Sequence, residues 1–270
     1  MTRQGEGVTQ AISAFGRQLK QWRRQRGVSQ LALAERAQVS QRHISFIETG
    51  RSRPGEETVH RIAEALEIPL RERNSMLEAA GLSAMYPEHR MSDSALAPFR
   101  QAVARMLEAH EPYPAFVINR WWDVVEVNKA ASRFLPLSPG ASTNFLEVFF
   151  SPGPYRELIV NYPAVAWAAL RRVRTEAAHF GSDERLSRLL TRAERSLADV
   201  PEGAESREGD LVVCPHLRWG ERVIKTISIV ARFGNTREVT LDELRVELML
   251  PQDKAAADFF LELASLRRDV

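Results

Sequence analysis

Between Val28 and Arg53 the chain reads VSQLALAERAQVSQRHISFIETGRSR, and this stretch leaves few conformations open. Ser29 stands where a helix N-cap belongs, and a short helix through about Arg36 follows. A tight turn at Ala37-Gln38-Val39 ends it. Ser40 is a second N-cap, and a second helix runs to about Glu48, with Gly50 at the stop. The apolar positions are Leu31, Ala34, Ala37, Val39, Ile44 and Ile47. They suit two short helices crossing steeply through small residues.

On Ser29-Gln30, Leu31, Ala34-Glu35, Val39-Ser40, Ile44, Ile47-Glu48 and Gly50, the stretch resembles the XRE/Cro family of helix-turn-helix domains. The resemblance continues over five helices to about Leu82. It implies that the second helix of the motif enters a DNA major groove. One position departs from the pattern: the family usually has glycine in the turn, where this chain has Gln38. A positive φ at a non-glycine residue costs about 1 kcal/mol, so a strained but intact turn is expected. The resemblance also implies an ion pair between Arg23 and Glu48, and a phosphate contact from Gln30 at a helix N-terminus.

With Ile44 and Ile47 turned inward, Gln41, Arg42 and Ser45 point outward. Glutamine suits adenine and arginine suits guanine as bidentate partners. Phe46 either packs on thymine methyls or on its own domain. His43 is assigned a backbone contact. Thr49, Arg51, Ser52 and Arg53 form a polar, basic loop suited to phosphate. The expected DNA-contacting set is therefore Gln30, Ser40, Gln41, Arg42, His43, Ser45, Phe46, Thr49, Arg51 and Arg53. Charge agrees with this. Residues 1–54 carry ten Lys/Arg and three Asp/Glu, a balance of +7, against −5 for the remainder. A basic head on an acidic body is the footprint of nucleic-acid binding.

Length suggests about two domains, and 44% apolar content is enough for ordinary cores. No apolar run approaches the roughly 18 residues of a membrane span, and no signal-peptide pattern opens the chain. Cys214, the one cysteine, sits in an apolar run and reads as a small core residue in a reducing compartment. A cytoplasmic protein without a membrane partner is expected.

Taken in order, residues 1–11 read as a flexible tail and 12–82 as the all-α, five-helix DNA-binding domain. The first helix runs from about Ala11 to Arg26, with Ile12, Phe15, Leu19 and Trp22 facing the core. Later helices are expected at about Glu56–Leu66 and Pro69–Ala80, with Pro69 at N1. Residues 83–93 form a linker, and 94–268 a second domain. There, a helix over Leu96–Glu108 carries Phe99, Val103, Met106 and Leu107. Ala115–Ile118 and Asp123–Val127 read as strands around a turn, followed by a helix from Lys129 to Leu135 capped by Asn128. Helices at about Pro163–His179 and Asp183–Ala198 come next. Strands at Gly209–Leu217, Arg222–Arg232 and Leu241–Leu250 follow, then a last helix over about Gln252–Arg267. That helix carries Phe259, Phe260, Leu263 and Leu266, and is expected to dock on its own sheet. The fold expected here is α/β, with one five-stranded antiparallel sheet.

The runs IPLRERNSMLEAAG (68–81), LAPFRQAVARMLEAHEPYPAFVINRWWDVVEVNKAASRFL (96–135), NYPAVAWAALRRVRTEA (161–177) and VARFGNTREVTLDELRVELMLP (230–251) resemble the MmyB-like family of regulators. That resemblance implies a PAS-like ligand-binding domain that takes a fatty acid or similar apolar small molecule. A pocket of this kind is mostly apolar with a few placed polar groups. The expected lining is Phe116, Trp121, Trp122, Asn128, Phe145, Phe149, Trp167, Arg171, Val213 and Ile227. Phe150, Asn161, Arg174 and His216 are further candidates.

Catalysis finds no support. There is no HExxH, GxSxG, P-loop or GxGxxG, and the six histidines show no metal-ligand spacing. No metal and no cofactor beyond the apolar ligand is expected. The reading is a DNA-binding transcriptional regulator acting as a homodimer, because one short helix reads few bases and a two-fold protein doubles its site. An alternative keeps DNA binding and makes the second domain a dimerisation or protein-interaction module without ligand.

Overall fold

A computed structural model describes residues 4–134, 143–202 and 212–265, and their side chains apart from those of 4–13, 134 and 154. The chain forms two compact units. One holds residues up to 88 with 176–182 and 236–242; the other holds 89–175, 183–235 and the residues from 243 on.

The first unit is built on five helices: α1 (Gln4–Gln25), α2 (Gln30–Ala37), α3 (Gln41–Glu48), α4 (Glu56–Ala65) and α5 (Leu70–Ala79). α1 starts at Gln4, so residues 4–10, expected as a tail, are helical. No proline interrupts them, and extending a formed helix costs far less than nucleating one. Ser29 caps α2 by accepting from the Ala32 amide at 3.1 Å, and Ser40 caps α3 by accepting from His43 at 3.2 Å. Gln38 ends α2 in the left-handed region at φ 52°, its amide bonded back to Ala34 and Glu35. Pro69 is the N-cap of α5, one position before the expected N1.

Phe15, Leu19, Leu33, Ile44, Ile47, Ile62 and Met76 are fully buried in one core. The inward face of α2 is Leu33, Ala34 and Ala37. Leu31, expected in the core, is 53% exposed, because a residue two positions before Leu33 lies on the far side of a 3.6-residue turn. Gly16 marks the crossing of α1 over α3: a Cβ there would stand 2.7 Å from the Ile47 carbonyl. The side chain of Ile12 lies outside the description. Residues 83–93 carry no helix or strand. The first of them are held by Asn74, which donates to the Tyr86 carbonyl at 2.7 Å and accepts from the Met85 and Tyr86 amides.

The second unit carries α6 (Ala97–Ala109) after a short 3-10 turn, β1 (Ala115–Ile118), β2 (Val124–Val127) and α7 (Lys129–Phe134). Next come α8 (Phe145–Phe150), α9 (Pro154–Leu158), α10 (Tyr162–Phe180) and α11 (Glu184–Ser196). β3 (His216–Trp219), β4 (Arg222–Ala231), α12 (Val239–Glu243), β5 (Arg245–Pro251) and α13 (Lys254–Ser265) complete it. α10 ends in a segment grouped with the first unit, and all of α12 except Glu243 belongs to that unit. The five strands form one antiparallel sheet in the order β2-β1-β5-β4-β3.

Several expectations change here. On α6, Val103 and Leu107 are buried, whereas Phe99 and Met106 are 40% and 44% exposed: the helix buries a narrower stripe than its apolar content suggests. The strand expected over 209–217 begins at His216, with 209–211 outside the described residues. The strand expected from Leu241 begins at Arg245, because 239–243 form α12. α8 and α9 were not expected at all. Leu135 and Leu266 lie outside the described residues. α13 packs on β4 and β5 through Ala256, Phe259 and Phe260.

Pairing register sorts the sheet into two faces, since directly opposed residues share one. Phe116 opposes Glu247, Ser228 opposes Met249, and Leu217 opposes Ile224, all on the inner face under α10. Ile227 and Ile229 oppose Leu250 and Leu248 on the other face.

Candidate nucleic-acid interface and ligand cavity

On α3, burial of Ile44 and Ile47 turns Gln41 and Arg42 to solvent, and leaves His43, Ser45 and Phe46 half-buried. The Arg42 guanidinium lies 5.1 Å from the Phe46 ring, one helical turn away. Thr49 donates its hydroxyl to the Ser45 carbonyl at 2.8 Å, and Arg51 is exposed beyond it.

Besides Thr49, three residues of the expected set are engaged within the domain: Gln30, Arg53 and Ser40. Gln30 donates from Nε2 to Glu48 Oε2 at 2.8 Å, joining a bidentate pair in which Arg23 donates from Nε and Nη2 to the same carboxylate at 2.6 and 3.0 Å. Burial pushes the Glu48 carboxyl up, but the bonds from Arg23 and Gln30 outweigh it and hold the group below the ordinary carboxylate range. Arg53 donates from Nε to the Ala80 carbonyl at 3.0 Å and from Nη2 to Gly81 at 3.1 Å, fastening its loop to the end of α5. Ser40 is occupied as the α3 cap. Gln41, Arg42 and Arg51 are exposed, as is Thr49 at the end of α3.

In the second unit, a cavity of about 220 Å³ lies between the inner sheet face and the helices α8, α9 and α10. α10 contributes Val165, Ala168, Ala169 and Arg172, at the i, i+3, i+4, i+7 spacing of one helical face. Phe145 is the hub of an aromatic wall. It stacks on Phe116 at 5.0 Å, on Phe149 at 5.7 Å and on Trp122 at 6.1 Å, and meets the edge of Tyr155 at 6.3 Å.

Trp122 sits at φ 65°, a conformation that costs about 1–3 kcal/mol and persists only where the surroundings over-determine it. They do. The Trp122 amide donates to the Asn119 carbonyl at 2.9 Å, and its own carbonyl accepts from Phe145 at 2.8 Å. Asn119 Oδ1 also accepts from the amides of Trp121 and Asp123. This geometry turns the Trp122 ring toward the cavity, with the guanidinium carbons of Arg172 and Arg245 each 4.7 Å from it. Arg172 forms a bidentate pair with Glu247. Burial, and next the Arg172 charge, pull the Arg245 guanidinium down to about 9 against the opposing effect of Glu247, so it stays charged at neutral pH.

Phe116, Trp122, Phe145, Phe149 and Val213 of the expected lining therefore line the cavity. Five others do not. Trp121 donates to Asp183 at 2.9 Å and packs against Arg120 and Arg185. Asn128 caps α7 and bridges to the Ala115 amide and the Tyr113 carbonyl. Trp167 donates to the Val200 carbonyl, and Arg171 is exposed one residue before Arg172. Ile227 lies 38% exposed on the opposite sheet face. Among the further candidates, Asn161 bridges Cys214 and His216, and Arg174 pairs with Glu194 on the surface. Tyr155, Ile159, Ser228, Glu247 and Met249 line the cavity without having been expected. The spacing of Val165, Ala168 and Ala169 was the signal for Arg172.

Among the described residues no cluster of His, Cys, Asp or Glu could hold a metal ion, and no helix is long and apolar enough to cross a membrane. An all-α unit displaying a polar recognition helix, and an α/β unit with a partly open, aromatic-walled cavity, define a helix-turn-helix protein with a small-molecule domain. Residues 14–76 match the family model of a helix-turn-helix domain, and 99–263 match that of the MmyB-like transcription regulator ligand binding domain. The second match spans more than half of the chain, which thus belongs to the MmyB-like family of transcription regulators. Both domains are those of a regulator and not of an enzyme family. No curated protein matches the chain.

Proposed function

We propose that this protein is a sequence-specific DNA-binding regulator whose C-terminal domain takes a small apolar, fatty-acid-like ligand that modulates binding to an operator. The observation that carries the reading is the cavity. At about 220 Å³ it holds roughly seven groups of a water's ~30 Å³ share, and its wall is aromatic. A core without a ligand role closes such space, because interiors pack like organic crystals. The PAS-like character of the domain is supported by its strand, turn, strand, helix opening over 115–134 and the helices inserted between β2 and β3.

On the DNA side, Gln41 and Arg42 read base edges, and Arg51, Thr49, His43 and Gln30 contact backbone. Phe46 carries the Arg42 guanidinium on its ring and so sets its direction. The protein works as a homodimer on a two-fold site in the cytoplasm. Ligand acts by favouring one arrangement of the two DNA-binding heads over another, a population shift.

Native mass spectrometry of the purified protein, before and after mild denaturation, tests this first. A dimer carrying an extra mass of a medium-chain acid supports the ligand reading. An empty dimer whose operator affinity is indifferent to added medium-chain acid favours the interaction module. Arg42→Ala should relax sequence preference and cost about 1–3 kcal/mol on the preferred site, while Arg51→Ala should weaken all sequences alike and flatten the salt dependence. Uniform weakening by Arg42→Ala would sink the reader assignment.

A further inference from the structure

Arg26, the residue after α1, holds the ends of two helices at once. It donates from Nε to the Leu66 carbonyl at 3.0 Å and from Nη2 to the Glu67 carbonyl at 3.4 Å, where α4 stops. From Nη1 and Nη2 it also donates to the carbonyls of Ala178 and His179, at 3.2 and 3.1 Å, in the last turn of α10. Gln25 adds a bond to the Ala178 carbonyl at 2.6 Å. The last carbonyls of a helix have no partner within it, and a cation placed there complements the helix dipole, so the grip on α10 is firm. Gly181 then ends the helix at φ 77°, and a Cβ on it would stand 2.8 Å from the Trp22 ring, over which the Arg26 guanidinium lies at 5.1 Å. Residues 176–182 accordingly belong to the first unit.

The same helix presents Val165, Ala168, Ala169 and Arg172 to the cavity, and only roughly 9 Å of unbroken helix separates Arg172 from Ala178. Arg172 pairs with Glu247 on β5. β5 in turn follows α12, whose residues 239–242 also belong to the first unit, with the Val239 amide donating to the Pro87 carbonyl at 2.9 Å. The ion pair on the cavity wall thus joins the two elements that run into the first unit. We infer that Arg26 is a positioning residue for regulation: through its grip on α10, occupancy of the cavity alters operator affinity, an inference that rests on the reading of the cavity as the ligand site and adds the route by which that site is read. An unbroken helix is a rigid carrier of such coupling. Material inserted beside Ala169 displaces α10, and Arg26 passes the displacement to α1 and α4. These are the helices on which α3 and α2 of the DNA-binding motif are packed.

The test uses full-length, cargo-free protein and a DNA duplex that the wild type selects from a random pool. Ala169→Leu serves as a fixed occupant of the cavity and octanoate as a diffusible one. At least one of them should change wild-type affinity for the duplex by about fivefold or more, the range of an allosteric coupling. In the Arg26→Ala background the same perturbation should change affinity by less than about twofold, while preference for the selected duplex over a scrambled one is kept. Gly181→Ala pushes the end of α10 off Trp22 and leaves Arg26 in place, so it should uncouple in the same way. It also decides the matter where Arg26→Ala fails to fold. A role for Arg26 in stability alone gives additive effects of the two substitutions on affinity. A full response to the occupant in Arg26→Ala or in Gly181→Ala therefore overturns the inference and leaves the ligand site standing. No response of the wild type to either occupant overturns the reading that the cavity controls DNA binding, and this inference with it.

Discussion

Ala169 offers a test in which the sign alone decides. It lies on the cavity face of α10, between Val165 and Arg172, in the middle of a long helix where leucine is nearly as good a helix former as alanine. Ala169→Leu adds three carbon groups. If they enter open space bounded by Phe145, Phe149 and Met249, each is removed from water at about 0.8 kcal/mol, giving about 2.4 kcal/mol as an upper figure. Their volume, at roughly 30 Å³ per group, fits within the 220 Å³ present. In a filled core the same change forces side chains off their rotamers and costs about 1–3 kcal/mol. For a domain of this size 1 kcal/mol moves the melting point by about 2–4 °C, so cargo-free Ala169→Leu should melt about 5–10 °C above cargo-free wild type. It should also lose co-purifying ligand in native mass spectrometry, because the space is taken. Scanning calorimetry on stripped protein measures the first, and the mass spectrum the second. A lower melting point, or ligand retained at wild-type occupancy, would refute the argument that this cavity is open and is where the ligand goes.

Removing Glu48 as Glu48→Ala leaves Arg23 and Gln30 facing a half-buried gap, and should cost about 2–3 kcal/mol in urea unfolding of the N-terminal unit. Because the folded-state ionisation of Glu48 lies below its unfolded value, the stability it supplies is present above the ordinary carboxylate range and disappears as pH falls through the folded value. Glu48→Gln should therefore flatten the acid limb of a stability-against-pH curve, and an unchanged limb would show that other carboxylates set it. Arg120 is 1% exposed and donates to Glu243 at 2.7 Å while lying 3.2 Å from Asp183. Arg120→Met removes the buried cation that faces Glu243 and Asp183 and should cost about 3–5 kcal/mol, with part of that recovered on adding Glu243→Gln; failure to recover would point to packing as the dominant loss.

Much of the first unit was legible because its determinants are local. Ser29, Ser40 and Gln38 act within four residues of themselves, and each cap appears where the spacing put it. Leu31 and Leu33 are alike in apolar identity, and only the helical phase shared with Ala34 and Ala37 puts Leu33 inside and Leu31 outside. α8 and α9 were invisible for a different reason. FLEVFF and PYREL are five- or six-residue helices, too short to be stable by propensity. They are held by the Asn144 cap and by the aromatic wall, which exists only once Phe116, Trp122 and Tyr155 have been brought together. The choice of Trp122 over Trp121 likewise depends on a left-handed residue that the Asn119 side chain imposes, and adjacent tryptophans carry no trace of it.

Ile227 shows why the cavity was harder to read than the fold. Alternation along β4 assigns apolar residues to the core, yet Ile227 and Ile229 face outward while Thr226 and Ser228 face in. On β5 the inner face carries Arg245 and Glu247, both buried. A sheet that served only to fill a core would have the opposite pattern, because burying serine, glutamate and arginine requires a partner for each. Glu247 takes Arg172 from α10, Arg245 donates to the Asn119 carbonyl at 2.8 Å, and Asn119 in turn fixes Trp122. The inverted faces thus trace one connected structure. Polar residues on the sheet hold the hairpin turn, the turn holds the strained tryptophan, and the tryptophan ring stacks on Phe145 in the aromatic wall. Polar residues at the core-facing positions of a central strand are the sequence mark of such a site, and in this chain RVELMLP carried it.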